Sequence, residues 1–71
     1  MNARSRQTQY VFRIRGVLTA TLLGAFPELR SRADRGETEL AGALPDQAAL
    51  HGVLARIEAL GLELLEVRRR S

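Results

Sequence analysis

His51 is the one side chain in this sequence whose charge changes near neutral pH and could serve acid–base chemistry. The chain has a single histidine and no cysteine, so thiolate metal sites and disulfides are excluded. A metal site needs further ligands, and a general base needs an orienting partner inside a pocket. Asp46 is near in sequence, but helix capping explains it better. We therefore predict no catalytic residue, no cofactor-binding residue and no metal ligand.

The carboxylates and glycines give no stronger indication of catalysis. Glu37, Glu39, Glu63 and Glu66 fall at solvent-facing positions of predicted strands, where nothing shelters a pair of carboxylates and shifts its pKa. The six glycines match neither of the glycine-rich patterns that hold phosphates. A non-catalytic binding or protein-interaction module is therefore the leading hypothesis. A small enzyme of the dimeric α+β barrel type is kept as an alternative.

The hydrophobic pattern predicts six elements in βαββαβ order. Alternating apolar residues indicate strands, and apolar residues three and four apart indicate helices. Thr19 and Asp46 are expected N-caps, because their side-chain oxygens can accept hydrogen bonds from the first helical turn. We expect a flexible basic tail over residues 1–8 and one domain over residues 9–70. Predicted strands cover 9–16, 29–34, 38–44 and 62–69, and predicted helices cover 20–26 and 46–60.

This element order predicts an α+β fold, the ferredoxin-like sandwich. Right-handed crossovers place both helices on one face of a four-stranded antiparallel sheet with strand order 4-1-3-2. Tyr10, Phe12 and Ile14 are expected to point toward the helices. The weak strand over 29–34 suits a sheet edge.

The arginines dominate the charge of the chain. All eleven basic residues are arginine and the net charge is +3, as is common in proteins from high-GC genomes. The predicted topology brings the first strand's start beside the last strand's end, so the two termini form one basic corner. Guanidinium groups there would suit phosphate or an acidic partner, although solvated basic termini that keep the protein soluble are the favoured explanation. The predicted corner consists of Arg4, Arg6, Arg68, Arg69 and Arg70.

The sheet face away from the helices is the second candidate surface. Cross-strand pairs such as Arg13 with Glu66 or Glu39 explain its charges, while its uncharged strip can receive a second copy of the chain. Base stacking on this face is disfavoured because the strand aromatics are expected to point inward. The predicted partner-binding residues are Val11, Arg13, Arg15, Ala41, Ala43 and Leu64.

Four segments carry a resemblance to a known group of proteins: RGVL at 15–18, AFP at 25–27, LAGALPDQAALHGVL at 40–54 and LGLELLEV at 60–67. Over residues 10–69 the chain resembles a family of short uncharacterised ferredoxin-like proteins from high-GC Gram-positive bacteria. The resemblance implies the fold and brings no activity.

A shorter likeness involves the Gly16, Val17 and Leu18 segment, which is similar to the Gly-x-Leu that follows the first strand of ACT domains. Those domains are ferredoxin-like, dimerise and bind amino acids near this loop. Ile14 and Arg15 stand where ACT domains usually have Asp and Pro.

The expected partners follow from these surfaces. We expect a homodimer or a larger protein partner; binding of nucleic acid or an acidic partner at the basic corner is the less favoured alternative. The polar N-terminus and the absence of a long apolar run predict a cytoplasmic protein without a membrane partner. No metal or cofactor is expected.

Overall fold

The computed structural model describes residues 7–70 and has the predicted βαββαβ order. Its four strands form one antiparallel sheet in the order β2-β3-β1-β4, which is the predicted order written from the other edge. The elements are β1 (Thr8–Arg15), α1 (Ala20–Leu23), β2 (Arg30–Asp34), β3 (Glu37–Leu44), α2 (Gln47–Ala59) and β4 (Leu64–Arg70).

The hydrophobic core lies between the sheet and the two helices, as the alternation in β1 predicts. Tyr10, Phe12 and Ile14 are buried, and they share one cluster with residues of β3 and both helices. The cluster is completed by Leu18, Phe26, Leu29, Leu40, Leu44, Val53 and Ile57, with Leu22 and Leu23 of α1 packed against it. Both helices therefore cover the same face of the sheet.

The two predicted N-caps are confirmed. Thr19 Oγ1 accepts from the Leu22 amide at 3.2 Å, and Asp46 Oδ1 accepts from the Ala49 amide at 2.8 Å. The first helix is shorter than the predicted 20–26. It ends at Leu23 because Gly24, a poor helix former, caps it, and two turn hydrogen bonds then carry Phe26 into the core.

The β2–β3 hairpin fixes the register of the sheet. Arg35 and Gly36 at its tip both have positive φ, 53° and 78°, which is the geometry of a two-residue turn matched to the twist of the strands. Asp34 is therefore the Cα partner of Glu37. Along β1, the pairing with β3 then runs without a break from Thr8 to Arg15.

Within residues 7–70, no helix has the length and apolar character needed to cross a membrane. The cytoplasmic location stays a prediction. Residues 1–6 lie outside the described part of the chain, and β1 begins at Thr8, the last residue assigned to the predicted tail.

Candidate functional site

The helices leave one face of the sheet uncovered, which we call the open face. Its residues alternate with the core residues along each strand, so neighbours across the sheet line up in rows. The first row contains Arg30, Ala41, Val11 and Arg68, written from β2 to β4. The second row contains Arg32, Glu39, Arg13 and Glu66, and the third contains Asp34, Glu37 and Arg15.

Arg13 is the centre of an ion-pair network on the middle row. Its guanidinium donates to Glu37 Oε1 at 3.0 Å and to Glu66 Oε1 at 3.2 Å. These two hydrogen bonds raise the pKa of Arg13 above its ordinary value, so the group stays charged at any physiological pH. The pair with Glu66 is one of two alternatives predicted from sequence. The other carboxylate, Glu39, instead lies near Arg32 and Arg68.

The open face has a basic end and an acidic end. The basic end, where β1 starts, carries Arg30, Arg68 and Arg70. The acidic end, where β1 finishes, carries three carboxylates, Asp34, Glu37 and Glu63, and one arginine, Arg15.

Ion pairs within the chain compensate only some of the charges at these two ends. Glu63 pairs with Arg15 Nε at 2.9 Å, and Glu37 pairs with Arg13. Within residues 7–70, neither Arg30 nor Asp34 is part of an ion pair. These two residues lie at opposite ends of edge strand β2, so the face carries one uncompensated charge of each sign on the same strand.

The uncharged part of the open face is smaller than predicted. Val11 is only 2% exposed and is absent from the core cluster, so its side chain is covered on the open face. Its cross-strand neighbours are Ala41 and Arg68, and the aliphatic part of an arginine can cover apolar surface. Ala41 and Ala43 are half-buried and remain the accessible small residues of the strip.

Leu64 does not lie on the open face, and its assignment to the partner-binding strip was wrong. It is the Cα partner of Ile14 and packs against the core. The register of β4 against β1 shifts between Arg13 and Ile14. This irregularity adds one residue to β4 relative to β1. The first residues of β4 therefore lie on the face opposite to the one expected from simple alternation.

The predicted basic corner is described only in part. Arg4 and Arg6 lie outside the described residues. Arg68 and Arg70 are on the open face, and Arg68 lies 3.9 Å from carboxylate oxygens of Glu39 and Glu66. Arg69 points to the opposite face, as the Cα partner of Tyr10.

The residues considered for catalysis are not brought together. His51 is exposed on α2, whereas Tyr10 is buried in the core. Within residues 7–70, no three histidine, aspartate or glutamate side chains are grouped as metal ligands would be. The predicted absence of catalytic, metal and cofactor sites stays a prediction, as does the alternative of an α+β barrel enzyme.

The loop that resembles ACT domains joins β1 to α1. Thr38 Oγ1 donates to the Gly16 carbonyl at 2.7 Å and accepts from the Leu18 amide at 3.1 Å. The buried hydroxyl thus satisfies two backbone groups of this loop from β3.

Sequence reasoning missed the importance of Asp34 and Glu37. Their pairing across the hairpin was not predicted, because the alternating pattern of the strands does not show which residue of β2 pairs with which residue of β3. The Arg35–Gly36 turn was the available signal, since a two-residue hairpin fixes Asp34 opposite Glu37.

Comparison with known proteins gives one match. A family described as a domain of unknown function (DUF8691) matches residues 9–68. No curated protein and no solved structure matches the chain.

Proposed function

The chain belongs to the family of domains of unknown function DUF8691, and from the geometry of its sheet we propose that it is a non-catalytic interaction module that self-associates through the open face. The observation that carries the proposal is the placement of Arg30 and Asp34. They are the uncompensated charges of β2 and lie at opposite ends of the face.

This charge placement favours one arrangement of two copies. When two such faces meet with their strands antiparallel, the basic end of each copy lies over the acidic end of the other. Arg30 of one copy then faces Asp34 of the second copy, and the contact occurs twice because the interface is isologous. The parallel arrangement would bring basic end against basic end. Charge complementarity therefore supports the antiparallel dimer.

The size of the face supports a weak dimer. Four strands of five to eight residues, spaced by about 4.8 Å and rising about 3.3 Å per residue, give roughly 440 Å² per copy. The resulting total of about 900 Å² is below the standard range for specific interfaces and is typical of weak, transient contacts. We expect a dissociation constant in the micromolar range, and we expect the dimer to weaken as salt screens its charges.

Ala41→Arg tests this proposal. The substitution introduces a large cation among the half-buried small residues of the open face. Sedimentation velocity over about 1–500 μM protein is expected to show a monomer–dimer equilibrium for the native chain and monomer alone for the variant. Ala43→Arg is a second variant with the same expectation, should Ala41→Arg fail to fold.

Ala33→Arg is the matched control. Ala33 is exposed on edge strand β2, but it pairs with Thr38 and so lies on the helix side of the sheet. The control makes the same chemical change and the same change in net charge, and it should dimerise like the native chain. A native chain that stays monomeric at 500 μM, or equal dissociation of Ala33→Arg and Ala41→Arg, would rule out the open face as the interface.

A further inference from the structure

An open groove lies at the end of the β1–β4 pair, where β1 starts and β4 finishes. Its volume is about 400 Å³, and it is lined by Gln7, Thr8, Gln9, Arg69 and Arg70. Each of these five residues has a side chain with a hydrogen-bond donor: two guanidinium groups, two amides and one hydroxyl. By the strand register, Thr8 and Arg69 lie on the helix side and Gln9 and Arg70 on the open-face side, so the groove is bordered from both faces of the sheet. None of the five is acidic, so the groove is suited to an anion.

The charges around the groove are uncompensated. The described ion pairs use Arg13, Arg15, Arg32, Arg56 and Arg68. Within residues 7–70, Arg69 and Arg70 form no ion pair with a carboxylate. Neither guanidinium group is therefore engaged by a described carboxylate, and Arg69 and Arg70 are available to a ligand in the groove from opposite faces of the sheet.

We propose that this groove binds the phosphate group of a small anionic ligand. Phosphate has oxygens on several sides, which match planar guanidinium forks and the neighbouring amide and hydroxyl donors. The volume of the groove is within the range of small-molecule sites. Because the groove is open and solvated, we expect a dissociation constant on the order of 1 mM for inorganic phosphate.

A single-stranded nucleic acid fits the groove less well. Such ligands are held by stacking of bases on aromatic side chains as well as by charge. The three aromatic residues of the chain are Tyr10, Phe12 and Phe26, and all three are buried in the core. Recognition at the groove therefore rests on the phosphate group and not on a base.

The test is a titration of the full ¹⁵N-labelled chain with sodium phosphate at pH 7, followed by NMR, with sodium chloride keeping the ionic strength constant. The expected amide shift changes are saturable and confined to residues 7–9 and 69–70. Adenosine 5′-monophosphate is expected to shift the same amides. The ratio of the two dissociation constants distinguishes free phosphate from a phosphate carried on an organic group.

Arg69→Gln is the test variant and Arg35→Gln is its matched control. Both remove one guanidinium from an exposed position, but Arg35 lies in the β2–β3 turn at the other end of the sheet. We expect Arg69→Gln to weaken phosphate binding by at least about fivefold, as the loss of a charged hydrogen-bond donor implies. Arg35→Gln should leave the binding unchanged.

Three results would overturn the phosphate site: equal shift changes with chloride alone, changes spread over arginines far from the groove, or equal weakening by Arg35→Gln. The outcome is independent of the proposed dimer, because Arg69 lies on the helix side and its substitution leaves the open-face charges unchanged. Arg70→Gln is the second variant and should also weaken phosphate binding, but it removes an open-face charge, so its effect on self-association is measured separately by sedimentation velocity.

Discussion

Arg56 on α2 and Glu28 in the segment before β2 are joined by a two-pronged ion pair. Arg56 Nη1 donates to Glu28 Oε1 at 3.1 Å, and Nη2 donates to Oε2. Nη1 also donates to the Ala25 carbonyl at 2.7 Å, while the guanidinium carbon lies 5.3 Å from the centre of the Phe26 ring. One side chain thus ties α2 to the whole connection between α1 and β2.

Arg56→Lys is expected to destabilise the fold by about 1–2 kcal/mol, because a lysine keeps the charge but cannot make the fork and the stacking contact together. Urea unfolding measures the change in the free energy of unfolding. Arg32→Lys is the control: its pair with Glu39 is 3.5 Å long and the Arg32 side chain is 73% exposed, so we expect a loss below about 0.5 kcal/mol. Equal losses would contradict a special role for Arg56.

The same ion pair predicts a pH dependence of stability. The hydrogen bonds from Arg56 hold the pKa of Glu28 below its ordinary value, although partial burial of the carboxylate acts in the opposite direction. A carboxylate with a lowered folded-state pKa stabilises the fold above its unfolded-state pKa, and this contribution is lost as pH falls through the folded-state value.

Glu28→Gln is therefore expected to cost about 0.5–1 kcal/mol at pH 7, an estimate kept small because both side chains are over a third exposed. At pH 3 the difference between the native chain and the variant should shrink. Urea unfolding at both pH values measures it, with Glu58→Gln on α2 as the control because Glu58 has no ion pair within residues 7–70. If the native chain and Glu28→Gln differed equally in unfolding free energy at the two pH values, ionised Glu28 would not be the source of the stabilisation.

Gly42 and Gly52 are expected to respond in opposite ways to replacement by alanine. A Cβ on Gly42 would lie 2.9 Å from the Glu28 carbonyl oxygen and 2.9 Å from Leu29 Cδ2, so backbone must move, at a cost of about 1–3 kcal/mol. A Cβ on Gly52 meets open space inside α2, and Gly52→Ala should stabilise by about 0.5–1 kcal/mol. Thermal unfolding compares both variants, and a stabilising Gly42→Ala would contradict the close contact.

The fold was predictable because its signals are local. The alternation of Tyr10, Phe12 and Ile14 marks the core face of β1, and the Asp46 cap marks the start of α2. These features depend on neighbouring residues of one segment. The element order then leaves few compact topologies, so the strand order followed.

The details of the candidate site were less predictable because they depend on pairing between distant segments. The shift near Ile14 turned Leu64 inward. The burial of Val11 on the open face could not be predicted either, because periodicity within β1 shows only the face on which a residue lies. The opposition of Arg30 and Asp34 likewise becomes visible only after the hairpin register is known.

The proposed antiparallel dimer makes a specific prediction for exchanged charges on β2. Arg30→Glu places like charges against Asp34 of the second copy, and Asp34→Arg places like charges against Arg30. Each single variant should raise the dissociation constant about tenfold, because the contact occurs twice. The double variant Arg30→Glu/Asp34→Arg restores opposite charges and should regain most of the affinity.

Net charge cannot produce this pattern. Arg30→Glu lowers the net charge from +3 to +1, since a positive charge is replaced by a negative one, while Asp34→Arg raises it from +3 to +5. General repulsion between copies would therefore weaken the self-association of Asp34→Arg and strengthen that of Arg30→Glu. In a parallel dimer the basic ends would meet, and Arg30→Glu alone would strengthen association. Sedimentation velocity of the native chain, the two single variants and the double variant at one ionic strength separates the antiparallel dimer, the parallel dimer and general charge repulsion. Only a loss of dimer affinity in both single variants, with recovery in the double variant, supports the antiparallel arrangement.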